Sequence, residues 1–128
     1  MYLLDTNACI DFLHARSDAL AEQMRAQFSS LTLSAITVAE LLVGSRLSED
    51  PAGDARKVET FIASVRVHAF DGKAAATYGR IIRDIGVKRT SFDQLIGTQA
   101  VHLGLILVTR DSRHFADVPG LMIENWYK

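Results

Sequence analysis

The stretch Tyr2-Leu3-Leu4-Asp5-Thr6-Asn7 decides how the fold of this chain is predicted. Its first three residues form an apolar run of the length of a short buried strand, and a carboxylate follows directly. The next segment, residues 7–14, has the character of a helix. The chain is therefore expected to begin with a β–α unit whose tight turn carries Asp5.

The rest of the chain continues this alternation. Further strands are predicted at residues 31–33, 66–70, 105–109 and, less strongly marked, 121–123, and further helices at 17–28, 37–47, 54–64, 72–85 and 91–103. Residues 48–53 gather polar, Pro and Gly residues and predict a surface loop rather than a domain boundary. Because parallel strands need crossover connections, this order predicts an α/β fold in one domain, residues 1–128, with a mainly parallel sheet flanked by helices on both faces.

The composition narrows the class of protein. The chain has 128 residues, 48% of them apolar, which is enough for one core. Its apolar stretches fall short of the roughly 20 residues that span a bilayer, and its N-terminus lacks the layout of a signal peptide, so a cytoplasmic protein is expected. With 14 Lys and Arg against 15 Asp and Glu, no strong overall positive charge attracts nucleic acid. The single cysteine, Cys9, is expected to pack in the first helix rather than react.

Four acids occupy positions where chemistry is expected in this fold. Asp5 follows the first strand directly, and Asp111 lies two residues beyond the strand that ends at Thr109. Glu40 and Asp93 lie in the first turns of predicted helices. Open parallel sheets bind ligands beyond the carboxyl ends of their strands, so Asp5 and Asp111 are expected to face one crevice. Glu40 and Asp93 would join them there if their helices start at the rim of that crevice.

Such a group of carboxylates indicates a metal site. Without a cation, mutual repulsion would raise their pKa values, whereas a divalent ion keeps several of them ionised. Oxygen ligands without His or Cys favour Mg²⁺ or Mn²⁺, whose coordination shells also accept phosphate oxygens. A metal held in this way activates water for attack on a phosphodiester, so no protein nucleophile is required.

Each acid also has a purely structural interpretation. Thr37-Val38-Ala39-Glu40 fits a capping box, in which Glu40 bonds only the backbone at a helix start, and Ser91-Phe92-Asp93-Gln94 has the same pattern. Asp5 and Asp111 can be turn or N-cap residues. For Asp5 this is less satisfactory, because several polar side chains follow it in one tight turn.

Taken together, the motifs closely resemble those of the PIN-domain nucleases, and they run through nearly the whole chain. The matching segments are Leu4-Asp5-Thr6-Asn7, Ile36-Thr37-Val38-Ala39-Glu40-Leu41, Phe92-Asp93-Gln94-Leu95-Ile96 and Val108-Thr109-Arg110-Asp111. Arg113-His114-Phe115 and the closing Glu124-Asn125-Trp126 are similar to the VapC-type toxins within that family.

The resemblance implies roles for particular residues. Asp5 and Asp93 would be direct ligands of Mg²⁺, or Mn²⁺, and Asp111 and Glu40 would complete the site directly or through water. The residues implied to support it are Thr109, by hydrogen bonding, and Thr6 and Asn7, by bracing the Asp5 turn. The stretch Lys88-Arg89-Thr90-Ser91 stands where many relatives carry small residues, which concerns the shape of the loop and not the ligand set.

The resemblance also implies a substrate and partners. The substrate would be single-stranded or loop RNA, cleaved endonucleolytically, and the partners a second toxin copy in a homodimer and a cognate VapB-type antitoxin. DNA would be contacted only indirectly, through the antitoxin.

Several other residues have two interpretations. Four basic residues close in sequence to the acids can receive substrate phosphates or can be solvated surface charges: Lys88, Arg89, Arg110 and Arg113. Trp126 and Tyr127 can stack on an unpaired base or pack on the core.

The helices between residues 37 and 64 can use excess apolar surface for dimerisation. The four histidines lack ligand spacing and are assigned no chemistry.

Three rival functions share parts of this pattern. A signalling receiver domain is a parallel α/β sheet of similar size, but it needs an acidic pair after strand one and a Lys after the last core strand, and neither is present beside Asp5 or Val108. A related PIN or flap-type nuclease would act on DNA with the same acids. A binding-only module would keep the fold without the chemistry, although converging acids would then lower stability.

Overall fold

The computed structural model describes residues 1–87 and 92–128 and contains one five-stranded sheet in the order β3-β2-β1-β4-β5, with every neighbouring pair parallel. The strands are β1 (Tyr2–Leu4), β2 (Leu31–Ser34), β3 (Arg66–His68), β4 (Ile106–Val108) and β5 (Ile123–Glu124). The α-helices are α1 (Thr6–Leu13), α2 (Asp18–Ala26), α3 (Ala35–Arg46), α4 (Pro51–Ser64), α5 (Gly72–Ile85) and α6 (Asp93–Leu103). Short 3₁₀ helices lie at Phe28–Ser30 and Ser112–Phe115. The predicted parallel α/β fold is confirmed.

The two central strands bury both of their faces. Leu4 and Val108 belong to one core cluster, with side chains from α1, α2, α3 and α4, whereas Leu3 and Leu107 belong to a second cluster with α6 and Phe115. Successive side chains of a strand point to opposite faces, so these two clusters place helices on both sides of the sheet. Because both faces are buried, the sequences of β1 and β4 are continuous apolar runs.

Two predicted helix starts are wrong. Helix α3 begins at Ala35 because the hydroxyl of Ser34, at the end of β2, accepts a hydrogen bond from the backbone N–H of Ile36 at 3.0 Å. Helix α4 begins at Pro51, inside the predicted loop, with Asp50 as N-cap accepting from the Gly53 N–H at 3.1 Å. Proline suits the first helical position because no backbone donor is needed there.

The other boundaries shift by a few residues. Strand β3 ends at His68 rather than at 70, and β5 lies at Ile123–Glu124 rather than at 121–123. The proposed cap at Ser91 lies outside the described residues, and α6 begins at Asp93. Within the described ranges, no helix combines the length and apolar character that crossing a membrane requires.

Candidate active site

The strand order changes direction between β1 and β4, which are neighbours in the sheet. Strands β2 and β3 add on one side of β1, and β4 and β5 add on the other. Such a switch point opens a crevice beyond the carboxyl ends of the two central strands. Asp5 leaves β1 at this point, and its backbone N–H donates to the carbonyl of Val108, at the end of β4, at 3.0 Å.

Asp5 is a buried N-cap carboxylate. It is 5% exposed, and its Oδ1 accepts a hydrogen bond from the Ala8 N–H at 2.7 Å. Burial raises its pKa from the usual 3.8 to about 6, hydrogen bonds from Thr109 and Ala8 oppose this effect, and the charges of Asp93 and Asp111 add to it. Asp93 and Asp111 are therefore near enough to Asp5 to repel its negative charge.

Thr109 connects two of the predicted site residues. It is completely buried, and its hydroxyl bonds the Asp5 carboxylate and also accepts from the Asp111 N–H at 3.0 Å. A single hydroxyl can do both because it has one donor and two acceptor positions. Asp111 itself is partly buried and precedes the 3₁₀ helix Ser112–Phe115.

Asp93 is the first residue of α6, where the positive end of the helix dipole favours a carboxylate. Its side chain is 32% exposed, and its Oδ2 lies 3.4 Å from Nδ1 of His114. Sequence reasoning missed this contact, because a single histidine 21 positions from its partner carries no ligand spacing.

Glu40 joins the site through Thr6. The Thr6 hydroxyl donates to Glu40 Oε1 at 2.6 Å, and Thr6 Oγ1 lies 3.2 Å from Oγ1 of the buried Thr37. Because α3 begins at Ala35, Glu40 lies in its second turn, so the capping-box interpretation of Glu40 and its first-turn position are both wrong. Asn7 is exposed on the first turn of α1.

We call Asp5, Glu40, Asp93 and Asp111 the acidic site. Among the residues that the structure describes, no three His, Cys, Asp or Glu side chains form a group that could hold a metal ion as they stand. The donor set nevertheless fits a hard divalent cation, since it consists of carboxylates, and since the raised pKa of Asp5 reflects a charge that such a cation would stabilise. Sharing of one ion by all four acids stays a prediction.

Two of the four basic residues predicted to bind phosphate lie within the described part of the chain, and so does Trp126. Arg110 and Arg113 are exposed next to Asp111, whereas Lys88 and Arg89 lie outside the described residues. Trp126 is buried, packs edge-on against Tyr2 with ring centroids 4.8 Å apart and donates from Nε1 to Glu124, which confirms its packing interpretation.

Cys9 is completely buried in α1, and burial raises the pKa of its thiol well above the usual value. A thiol in that state is unreactive, so its structural interpretation is confirmed.

Together, this parallel sheet and the acids at its switch point define an α/β protein of the PIN type. The family model for the PIN domain matches residues 2–121, and the chain therefore belongs to the PIN-domain family.

Several relatives of the chain are VapC proteins. The chain is 34% identical to the tRNA(fMet)-specific endonuclease VapC of Salmonella typhimurium, over 98% of this chain and 97% of that protein. It is 31% identical to ribonuclease VapC2 of Haemophilus influenzae, again over 98% and 97% of the two chains. The resemblance to VapC-type proteins predicted from the motifs is thereby confirmed.

Solved structures agree with this assignment. A chain of the DNA-bound VapBC complex from Salmonella typhimurium superposes with a TM-score of 0.88 at 33% identity, covering 98% of this chain and 97% of that one. A chain of the DNA-bound VapBC2 complex from Rickettsia felis gives a TM-score of 0.86 at 25% identity, covering 98% of both chains.

Proposed function

We propose that this protein is a divalent-metal-dependent endoribonuclease toxin, acting as a single PIN domain in the cytoplasm and neutralised by a VapB-type antitoxin. The observation that carries the proposal is the buried Asp5 at the switch point, whose pKa is raised to about 6 by burial and by neighbouring acids. A perturbed carboxylate in a crevice of the sheet is typical of a functional site. The names of the VapC relatives support RNA as the substrate class.

Four carboxylates would hold the ion, Mg²⁺ or Mn²⁺, with Asp5 and Asp93 as direct ligands and Asp111 and Glu40 binding directly or through water. When bound, such an ion lowers the pKa of a coordinated water and stabilises charge on phosphate oxygens. The chain itself contributes the orientation of the ligands.

Two hydroxyls would provide that orientation. The Thr109 hydroxyl fixes Asp5, and the Thr6 hydroxyl fixes Glu40 at 2.6 Å. Hydrogen bonds of this kind orient metal ligands and strengthen metal binding. The repulsion among the acids in the metal-free protein falls when a cation is present, so metal binding and folding should reinforce each other.

Cleavage of matched substrates tests the proposal. Purified protein is given RNA and DNA of the same sequence, with Mg²⁺, with Mn²⁺ and with a chelator. RNA cleavage that requires metal is expected, with a loss of at least about a hundredfold in Asp5→Asn. Asp71→Asn is the matched control, since Asp71 is also an N-cap aspartate, accepting from the Ala74 N–H at 2.9 Å, but at an exposed position of the chain.

The alternative outcomes are distinct. Cutting of DNA alone would instead support a flap-type nuclease. No metal-dependent cutting of either substrate would support a binding-only module and overturn the proposal.

The partners form the second part of the proposal. Two solved relatives are DNA-bound VapBC complexes, which supports an antitoxin partner of the VapB type. In the proposal, this chain contacts DNA only indirectly, through that antitoxin. Expression of the chain should arrest growth, and co-expression of the antitoxin should restore it.

A homodimer is also proposed. Helix α3 and its C-terminal end leave large apolar side chains in solvent, namely Leu42, Val43 and Leu47, the last of them 81% exposed. Light scattering should give twice the mass of one chain, and the mass of a single chain would contradict this part.

A further inference from the structure

The penultimate residue, Tyr127, is anchored on α1. Its hydroxyl donates to Oδ2 of Asp11 at 2.6 Å, and Asp11 is only 7% exposed. The other carboxylate oxygen of Asp11 accepts from Nη1 of Arg16 at 3.2 Å. The hydroxyl of the ring is thus bonded to a carboxylate that is itself paired with an arginine, and this network fixes the position of the tyrosine ring.

Arg110 lies over the face of that ring. Its guanidinium carbon lies 5.1 Å from the centroid of the Tyr127 ring, which is within the range of a cation–π contact. Along the chain, Arg110 stands between Thr109 and Asp111. The ring also lies near Asp5, because the charge of that carboxylate contributes to raising the pKa of the phenol. The arginine is therefore held at the border of the acidic site.

A guanidinium held at the border of the acidic site can help to bind RNA. An RNA phosphate that approaches the four carboxylates of the acidic site is repelled, and a neighbouring guanidinium offsets that repulsion. A cation–π contact does not use the N–H groups of the guanidinium as donors to the ring, so they can bond phosphate oxygens. Holding the long side chain before the substrate arrives also reduces the conformational entropy lost on binding.

We propose that Tyr127 is a positioning residue, whose ring, anchored by Asp11, holds Arg110 in place to bind a phosphate of single-stranded RNA beside the acidic site. This inference rests on the proposed function, and it adds a defined phosphate contact and the residue that organises it.

The first test measures binding of a labelled single-stranded RNA in chelator as a function of salt concentration, for the full chain and its variants. Arg110→Ala and Tyr127→Leu should each weaken binding about two- to fivefold. Each should also lower the magnitude of the salt-dependence slope by about 0.7, the value for one phosphate contact on a single strand. The double variant should bind no more weakly than Arg110→Ala alone.

Cleavage kinetics and a ring-preserving variant complete this test. With Mg²⁺, Tyr127→Leu should raise KM and leave kcat unchanged, since only substrate binding is affected. Tyr127→Phe keeps the ring but loses the hydroxyl that is anchored on Asp11, so its salt slope should lie between those of the wild type and Tyr127→Leu. An unchanged slope in Tyr127→Leu, or independent and additive losses in the double variant, would overturn the positioning role.

A second measurement does not depend on RNA or on the stability of Tyr127→Leu. In the NMR spectrum of the free wild-type protein, the side-chain protons of Arg110 should be shifted upfield by the ring, and the shift should be smaller in Tyr127→Phe, which lacks the anchoring hydroxyl. Absence of the shift in the wild type would overturn the positioning role alone. Failure of the wild type to cleave RNA with Mg²⁺ or Mn²⁺ would instead overturn the proposed function, and the phosphate contact with it.

Discussion

Replacement of Asp5 by Asn should stabilise the metal-free protein. The pKa of Asp5 lies above its usual value, so the folded chain holds this proton more tightly than the unfolded chain does between pH 3.8 and about 6. The stability of the folded state therefore falls as the pH rises through that window. Asparagine has the same shape and can still accept the Ala8 N–H bond at the N-cap, but it carries no charge.

The size of the effect follows from the two pKa values. The interval from 3.8 to about 6 corresponds to about 3 kcal/mol, since each pH unit is worth about 1.36 kcal/mol. This value is an upper bound, because the amide must still be buried in the same place. For a chain of this size it corresponds to an increase in Tm of about 10 °C at most.

Thermal and urea unfolding in chelator, from about pH 4 to about pH 7.5, measures this difference. The increase in the free energy of unfolding of Asp5→Asn over that of the wild type should be small near pH 4 and should reach its full value above pH 6. Asp71→Asn is the matched control. The pKa of that exposed N-cap is lowered, chiefly by the Ala74 N–H bond, so its replacement should reduce stability at neutral pH. Equal or lower stability of Asp5→Asn at neutral pH, or a gain independent of pH, would refute the reasoning.

Two further substitutions test the packing around the site. Thr109→Val should lower the free energy of unfolding by about 1–3 kcal/mol, because it removes the hydroxyl that bonds Asp5 and leaves the Asp111 N–H without that acceptor, as urea unfolding would measure. Gly97→Ala should destabilise by about 1–3 kcal/mol, because the new Cβ would lie 3.0 Å from Cδ1 of Phe115, which is 1% exposed and cannot easily move.

Each of these substitutions has a control. Gly79→Ala, in α5, introduces a Cβ with nothing within 4 Å, so it should stabilise the helix by about 0.5–1 kcal/mol. A similar gain for Gly97→Ala would show that α6 does not pack tightly there. Thr109→Ser keeps the hydroxyl and should retain most of the stability, and a loss equal to that of Thr109→Val would contradict the hydrogen-bonding role.

Local pattern was sufficient to predict the architecture and the candidate acids. Buried strands such as β1 and β4 appear as apolar runs because both of their faces are covered, and alternation with helices requires parallel pairing. The rule that ligands bind beyond the carboxyl ends of strands then singled out Asp5 and Asp111. The start of α3 was placed wrongly because Ser34 and Thr37 are both suitable caps by sequence, and only the end of β2 decides between them.

Only the tertiary structure decided the pKa of Asp5 and the contacts that Tyr127 makes beside the acidic site. The pKa of Asp5 depends on how completely the surrounding chain excludes water. The contacts of Tyr127 with Asp11, 116 positions away, and with Arg110 depend on where the C-terminal segment packs. Periodicity and propensity are properties of neighbouring residues, whereas these contacts are made between segments that only the folded sheet brings together.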